Sequence, residues 1–124
     1  MNEIEIQLKK RNKKFAHGCV KLVSELAPCK LSYHTEGQLI RCSTSVAANY
    51  RAACISQSTK SFIAKLSIVI EEADESDFWL EFILDENLHP KPQEVERLMK
   101  EAQELTKIYI SSRLTMSKNQ KSGN

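Results

Sequence analysis

The sequence predicts an all-α fold, an antiparallel up-down-up-down four-helix bundle. Four segments repeat apolar residues at alternating spacings of three and four, the period of one helix face. The 124 residues include only three Gly and three Pro, too few for a turn-rich β fold. The connections between the periodic segments are short, which makes successive helices antiparallel neighbours. A chain of this length forms one domain and buries a core without metals or disulfides.

Residues Ile4 to Leu8 alternate apolar and polar, so residues 1–11 are read as a short extended N-terminal arm. The first helix is expected from about Asn12 to Leu26, with Phe15, Cys19, Leu22 and Leu26 on its stripe and Pro28 setting its end. Gly18 inside it costs about 1 kcal/mol against Ala and suits the close approach of a neighbouring helix. A loop over 29–35 follows. The second helix is expected from Thr35 to about Ser56, with Leu39, Cys42, Val46, Asn49 and Ala53 on a seam of mostly small residues.

Ser58 or Thr59 caps the third helix. Its seam runs Phe62, Leu66, Val69, Ala73, Ser76, Leu80 and Ile83, widened by Ile63, Ile70 and Leu84. A second line on another face mixes acids with aromatics. Such a line away from the core predicts an interface, so Ile68, Glu72, Glu75, Phe78, Trp79 and Phe82 are the candidate oligomer contact. The break from Asn87 to Pro92 ends this helix. The fourth starts near Pro92, a favoured first-turn residue, and carries Val95, Leu98, Ala102, Leu105, Tyr109, Ser112 and Met116. The bundle domain thus spans 12–116, and the polar residues 117–124 form a flexible tail.

Net charge is +2, from 18 basic and 16 acidic residues, so distribution tells more than the sum. From Lys9 to Lys21 the chain has six basic residues and no acid: Lys9, Lys10, Arg11, Lys13, Lys14 and Lys21. From Glu71 to Glu86 it has eight acids and no base. Cations at a helix start oppose the helix dipole, which calls for a compensating partner. The basic run admits three readings: a solvated helix face, a binding surface for RNA or DNA phosphates, or a contact with the acidic third helix of a neighbouring subunit.

Cys19, Cys29, Cys42 and Cys54 form no C-x-x-C pair and have no His at ligand spacing. They read as reduced, buried thiols of an intracellular protein. No signal peptide is recognisable, and no apolar run approaches the roughly 20 residues of a membrane span. A cytoplasmic protein with no membrane partner is expected.

Asn49 lies on the expected seam of the second helix, flanked by Arg41 and Arg51, and Asp77 shares the stripe of Ile63 and Ile70. Buried amides and carboxylates need partners. Arg41, Asn49, Tyr50 and Arg51 are therefore expected to bond Glu71, Asp74 and Asp77 in a structural polar network that fixes helix register. The functional alternative is a ligand or catalytic site inside the bundle. Di-iron bundles use Glu-x-x-His, yet Glu71, Glu72, Asp74 and Glu75 have no His three residues on. No Cys-His or Ser-His pairing and no Gly-rich phosphate loop is present. No catalytic residue, metal ligand or cofactor is assigned.

The strings Gln38-Leu39-Ile40-Arg41 and Thr44 to Ala53, then Phe62-Ile63, Lys65-Leu66, Ile68-Val69, Glu71 to Glu75 and Phe78 to Glu81, carry a resemblance. With them the chain resembles the four-helix bundle protein family, also called the 23S rRNA intervening-sequence protein family, whose members are often encoded within inserts in bacterial rRNA genes. Many members have Pro where Ala47 stands and a Gly after the Asn-containing motif, departures that suit a smoother second helix. The resemblance implies a ring-shaped homo-oligomer, typically a pentamer. One branch is similar to the accessory variability protein of diversity-generating retroelements, which binds a reverse transcriptase and nucleic acid through a basic surface. The expected function is a non-enzymatic homo-oligomeric scaffold or nucleic-acid-associated adaptor, with a reverse transcriptase partner by family analogy only. The alternatives are a purely structural assembly, or a small-molecule or metal-dependent enzyme using acids of the third helix.

Overall fold

A computed structural model describes residues 2–122. It contains four helices: α1 Glu3–Val23, α2 Lys30–Cys54, α3 Thr59–Asp85 and α4 Pro92–Ser122. Successive helices pack side by side, and α4 returns to α1 to close the bundle, while the diagonal pairs stay apart. The central packing is of α3 against α2 and α4; the α1–α4 contact is the slightest of the four.

The apolar periods place the core. Leu39, Cys42, Val46 and Ala53 of α2 face Leu66, Val69, Ala73, Leu80 and Ile83 of α3, all essentially inaccessible to water. Phe15, Cys19 and Leu22 of α1 and Val95, Leu98, Ala102, Leu105 and Tyr109 of α4 complete it. Asn49 does not lie on the seam. Tyr50 does, at 4% exposure. Spacings of three and of four from Val46 both satisfy the helical period, and burying the larger aromatic surface decides the phase.

Residues 3–11, read as an extended arm, are the first turns of α1. Asn2 caps them: its Oδ1 accepts the Glu5 N–H at 2.9 Å, and Glu3 and Glu5 suit the positive helix end. The alternation of Ile4, Ile6 and Leu8 also contains an i, i+4 pair, and Leu8 uses it to pack against the core. α1 ends at Val23, short of Leu26, where the Ser24 hydroxyl donates to the Lys21 carbonyl at 2.6 Å.

α2 starts at Lys30, so most of the expected loop over 29–35 is helical. The unusual cap is Cys29, whose Sγ accepts the Ser32 N–H at 3.4 Å. α3 begins as expected, with the Ser58 hydroxyl accepting the Ser61 N–H at 3.1 Å. Asn87, at φ 53°, takes the left-handed conformation that ends this helix. The expected tail is helical through Ser122, since no Gly or Pro interrupts it before Gly123; residues 123 and 124 lie outside the described residues.

Gly18 meets the α4 side chain of Leu98: a Cβ at residue 18 would stand 3.0 Å from Leu98 Cδ2. Nearby, Asn12 is fully buried and accepts a 2.7 Å hydrogen bond from the Tyr109 hydroxyl. The Tyr109 ring packs on Tyr50 at 5.0 Å between centroids, which links α4 to α2. Asn12 Nδ2 has no hydrogen-bond partner among the described residues. At the other end, the α3–α4 connection is pinned to the α1–α2 connection. The Ala27 N–H donates to the Leu88 carbonyl at 2.9 Å, and the buried His89 accepts the Lys91 N–H at Nδ1. In the neutral ring Nε2 then carries the proton and donates to Glu25 at 3.2 Å.

Two stability predictions follow from this packing. Leu80→Ala should cost about 2–5 kcal/mol by denaturant titration, because a fully buried side chain leaves a cavity. Tyr109→Phe should cost about 1–3 kcal/mol, since it strands the Asn12 amide. The double variant Asn12→Leu with Tyr109→Phe should lose less than Tyr109→Phe alone; a fully additive loss would contradict the pairing.

Candidate nucleic-acid interface

The basic run falls on the middle of α1, and helical phase sorts its residues. Lys10, Lys13, Lys14, His17 and Lys21 recur at i, i+3, i+4, i+7 and i+11, and all are exposed on the face opposite Phe15, Cys19 and Leu22. Lys9 is half-buried. Arg11 departs from the expectation that groups it with phosphate ligands, because it turns towards α4. Its Nε and Nη2 donate to the two Glu101 oxygens at 2.7 Å each, and Nη2 reaches Glu104 at 3.3 Å. The Glu101 hydrogen bond raises the Arg11 pKa above its ordinary value, outweighing partial burial, so the guanidinium stays charged.

Above this pair, α1 and α4 enclose an open groove of about 500 Å³. Arg11, Lys14, Arg97, Lys100, Glu101 and Glu104 form its charged walls over Phe15 and Leu98. Sequence reasoning missed the two α4 cations. They lie far along the chain from the α1 run and alternate with acids along their own helix, so no local pattern announces them.

The expected polar network between α2 and α3 forms only in part, and with different acids. Arg41 bridges Glu72 at 3.2 Å and Glu75, and also donates to Gln38 at 3.2 Å. Glu75 accepts the Trp79 Nε1–H at 3.0 Å, and His34 meets the Trp79 ring edge-on at 5.5 Å. Asn49 instead donates within its own helix, to the Ser45 carbonyl and hydroxyl at 3.0 and 2.8 Å. Tyr50 is core. Arg51, Glu71 and Asp74 are exposed and are not brought together. Asp77 bonds across to α4, accepting from Gln103 at 3.2 and 3.3 Å. Burial pushes its carboxyl pKa up, and the Gln103 hydrogen bond pulls against that shift.

Glu72 and Glu75, placed with the candidate oligomer contact, are thus engaged inside the subunit. The apolar members of that line remain at the surface. Phe78 is 52% and Ile68 39% exposed, while Trp79 and Phe82 are half-buried. Phe78 packs edge-on to Trp79 at 5.0 Å and lies 6.0 Å from Phe82, so three rings form one patch.

All four thiols are free, but they are not all buried. Burial pushes Cys19 up to about 12 and Cys42 up to about 11. Cys54 is half-buried. Cys29 is exposed at the start of α2, where hydrogen bonds from Ser32 lower its pKa. Among the described residues, no three His, Cys, Asp or Glu side chains converge as a metal site requires. No described helix is long and apolar enough to cross a membrane.

Comparison with known proteins agrees with this architecture. The family model for 23S rRNA-intervening sequence protein matches residues 5–111. No curated protein matches the chain. A crystal structure of a protein with unknown function from the S23 ribosomal protein family, from Bacteroides thetaiotaomicron VPI-5482, is similar. It shares 31% identity over 85% of this chain and 96% of that one, with a TM-score of 0.72. The match spans all of α2 and α3 and most of α1 and α4, and the chain belongs to the 23S rRNA-intervening sequence protein family.

Proposed function

We propose that the protein is a non-enzymatic, self-associating bundle that binds nucleic-acid phosphates through the outer face of α1. One observation carries this reading. Lys10, Lys13, Lys14 and Lys21 share one exposed face, and among the described residues none has a carboxylate within 4.0 Å. Solvated lysines on one ridge gain by releasing counter-ions from a phosphate backbone. Self-association through the Phe78 patch would bury the largest exposed ring of α3 and repeat the ridge around an assembly. The ring form and a subunit count of five rest on the family resemblance, as does a reverse transcriptase partner. A cytoplasmic location fits this reading.

A second reading has its own observation. Glu71, Asp74, Glu81 and Asp85 are exposed on α3 and hold no cation among the described residues. A neighbouring subunit's α1 ridge could pair with them, giving a purely structural assembly. The two readings separate on Lys13→Glu: it breaks the oligomer only if the ridge is a subunit contact.

The four α1 phosphate contacts should contribute about −3.6 to the slope of log K for duplex DNA against log salt, near −0.9 per contact. Lys10→Gln with Lys14→Gln should flatten that slope by about 1.8 in fluorescence anisotropy. Affinity unchanged between low and moderate salt would contradict the phosphate reading. Light scattering should show Phe78→Glu lowering the mass in solution; a wild-type protein that is monomeric at micromolar concentration would rule out self-association.

A further inference from the structure

We infer that the phosphate-binding surface extends onto α4, with Arg97 and Lys100 as phosphate ligands, and that Arg11 is a positioning residue that masks two carboxylates. The inference rests on the phosphate reading of α1 and adds a second helix to it. Lys14, Arg97 and Lys100 line one groove with Arg11, and Arg97 also lines the adjoining hollow with Lys21 and Lys91. The α1–α4 seam therefore presents cations from both helices along two depressions that share Arg97 and Leu98 in their walls.

Acids also line the seam, and the structure occupies each of them. Glu101 and Glu104 are bonded by Arg11, Glu94 by Arg97 at 3.1 Å, and Glu25 faces His89 at 3.2 Å. Among the described residues, Lys14, Lys21, Lys91 and Lys100 have no carboxylate within 4.0 Å. The outward field of the seam is therefore set by lysines. The Arg97–Glu94 pair is exposed on both sides, and water screens it, so a phosphate can take the guanidinium at little cost. Arg11 is different. Its Nε and Nη2 edge is taken by Glu101 and Nη2 also reaches Glu104, so only Nη1 remains and no two-pronged fork is left for a phosphate. Its loss would bare two negative charges in a groove that must accept an anion.

The α4 residues and the clamp are both readable in one titration. Labelled duplex DNA of mixed sequence is bound to the full chain at several salt concentrations, and affinity and salt slope are measured for each variant. Lys100→Gln and Arg97→Gln should each weaken binding and flatten the slope by about 0.9, whereas Lys60→Gln at the start of α3 should change neither. Arg11→Gln should weaken binding more than Lys100→Gln. Adding Glu101→Gln and Glu104→Gln to it should restore the wild-type slope, because no phosphate ligand has been lost. If both α4 variants bind like wild type while Lys14→Gln weakens binding, the extension to α4 is overturned and the α1 reading stands. If the triple variant keeps a slope about 0.9 shallower, Arg11 contacts phosphate itself and its positioning role is overturned. If wild type shows no salt-dependent binding, the α1 reading fails and this inference with it.

Discussion

The closure of α1 against α4 is the constraint on which the rest of this bundle depends. The other three helix interfaces are broad and apolar, whereas this one is slight. What it lacks in contact it supplies in directed bonds: Arg11 to Glu101 and Glu104 at the surface, and Tyr109 to Asn12 beneath. Each is about one helical turn of α1 from Phe15, so a polar layer and an apolar layer alternate along the seam. Tyr109 then leans on Tyr50, which carries the constraint to α2. The buried Asn12 Nδ2, without a partner among the described residues, is a cost that the apolar layers around it offset.

The same closure organises charge. By engaging the two α4 acids that face it, Arg11 leaves the outer surface of α1 to lysines. On the far side of the bundle, Arg41 engages Glu72 and Glu75 but leaves Glu71, Asp74, Glu81 and Asp85 of α3 exposed. A chain of nearly neutral total charge is thereby divided into a basic side and an acidic side. The division bears on partners more than on stability, because exposed pairs contribute little to folding while separated fields steer association. The aromatic patch of Phe78, Trp79 and Phe82 sits on the acidic side, so a subunit contact there leaves the basic ridge of α1 available.

Most of the fold was legible because α3 carries an unbroken seam from Leu66 to Ile83, and a helical period over that length has one solution. Legibility fell where two phases or two periods fit equally well. Asn49 and Tyr50 both follow Val46 at helical spacing, and only the larger buried ring separates them. Ile4 to Leu8 satisfies a strand and a helix alike, and the Asn2 cap decides in favour of the helix. That boundary hid Asn12. Once α1 begins at Glu3, Asn12 falls on the stripe of Leu8, Phe15 and Cys19 and must be buried. The Arg11 clamp was not legible, since its partners lie 90 and 93 residues away and no local pattern encodes a contact between the first and last helices. Of the candidate site, the lysine ridge was readable from composition; its extension to α4 required the folded chain.

Native-state hydrogen exchange along α1 tests the central claim, that Arg11 closes the bundle against α4. In the wild type, α1 amides near Asn12 should exchange together with those of α3, through opening of the whole bundle. In Arg11→Gln, α1 amides should exchange faster by about fivefold, and so should the α3 amides that share the whole-bundle opening, the effect of roughly 1 kcal/mol from a partly exposed bidentate pair. Equal rates along α1 in the two proteins would contradict the claim and leave the closure to apolar packing alone.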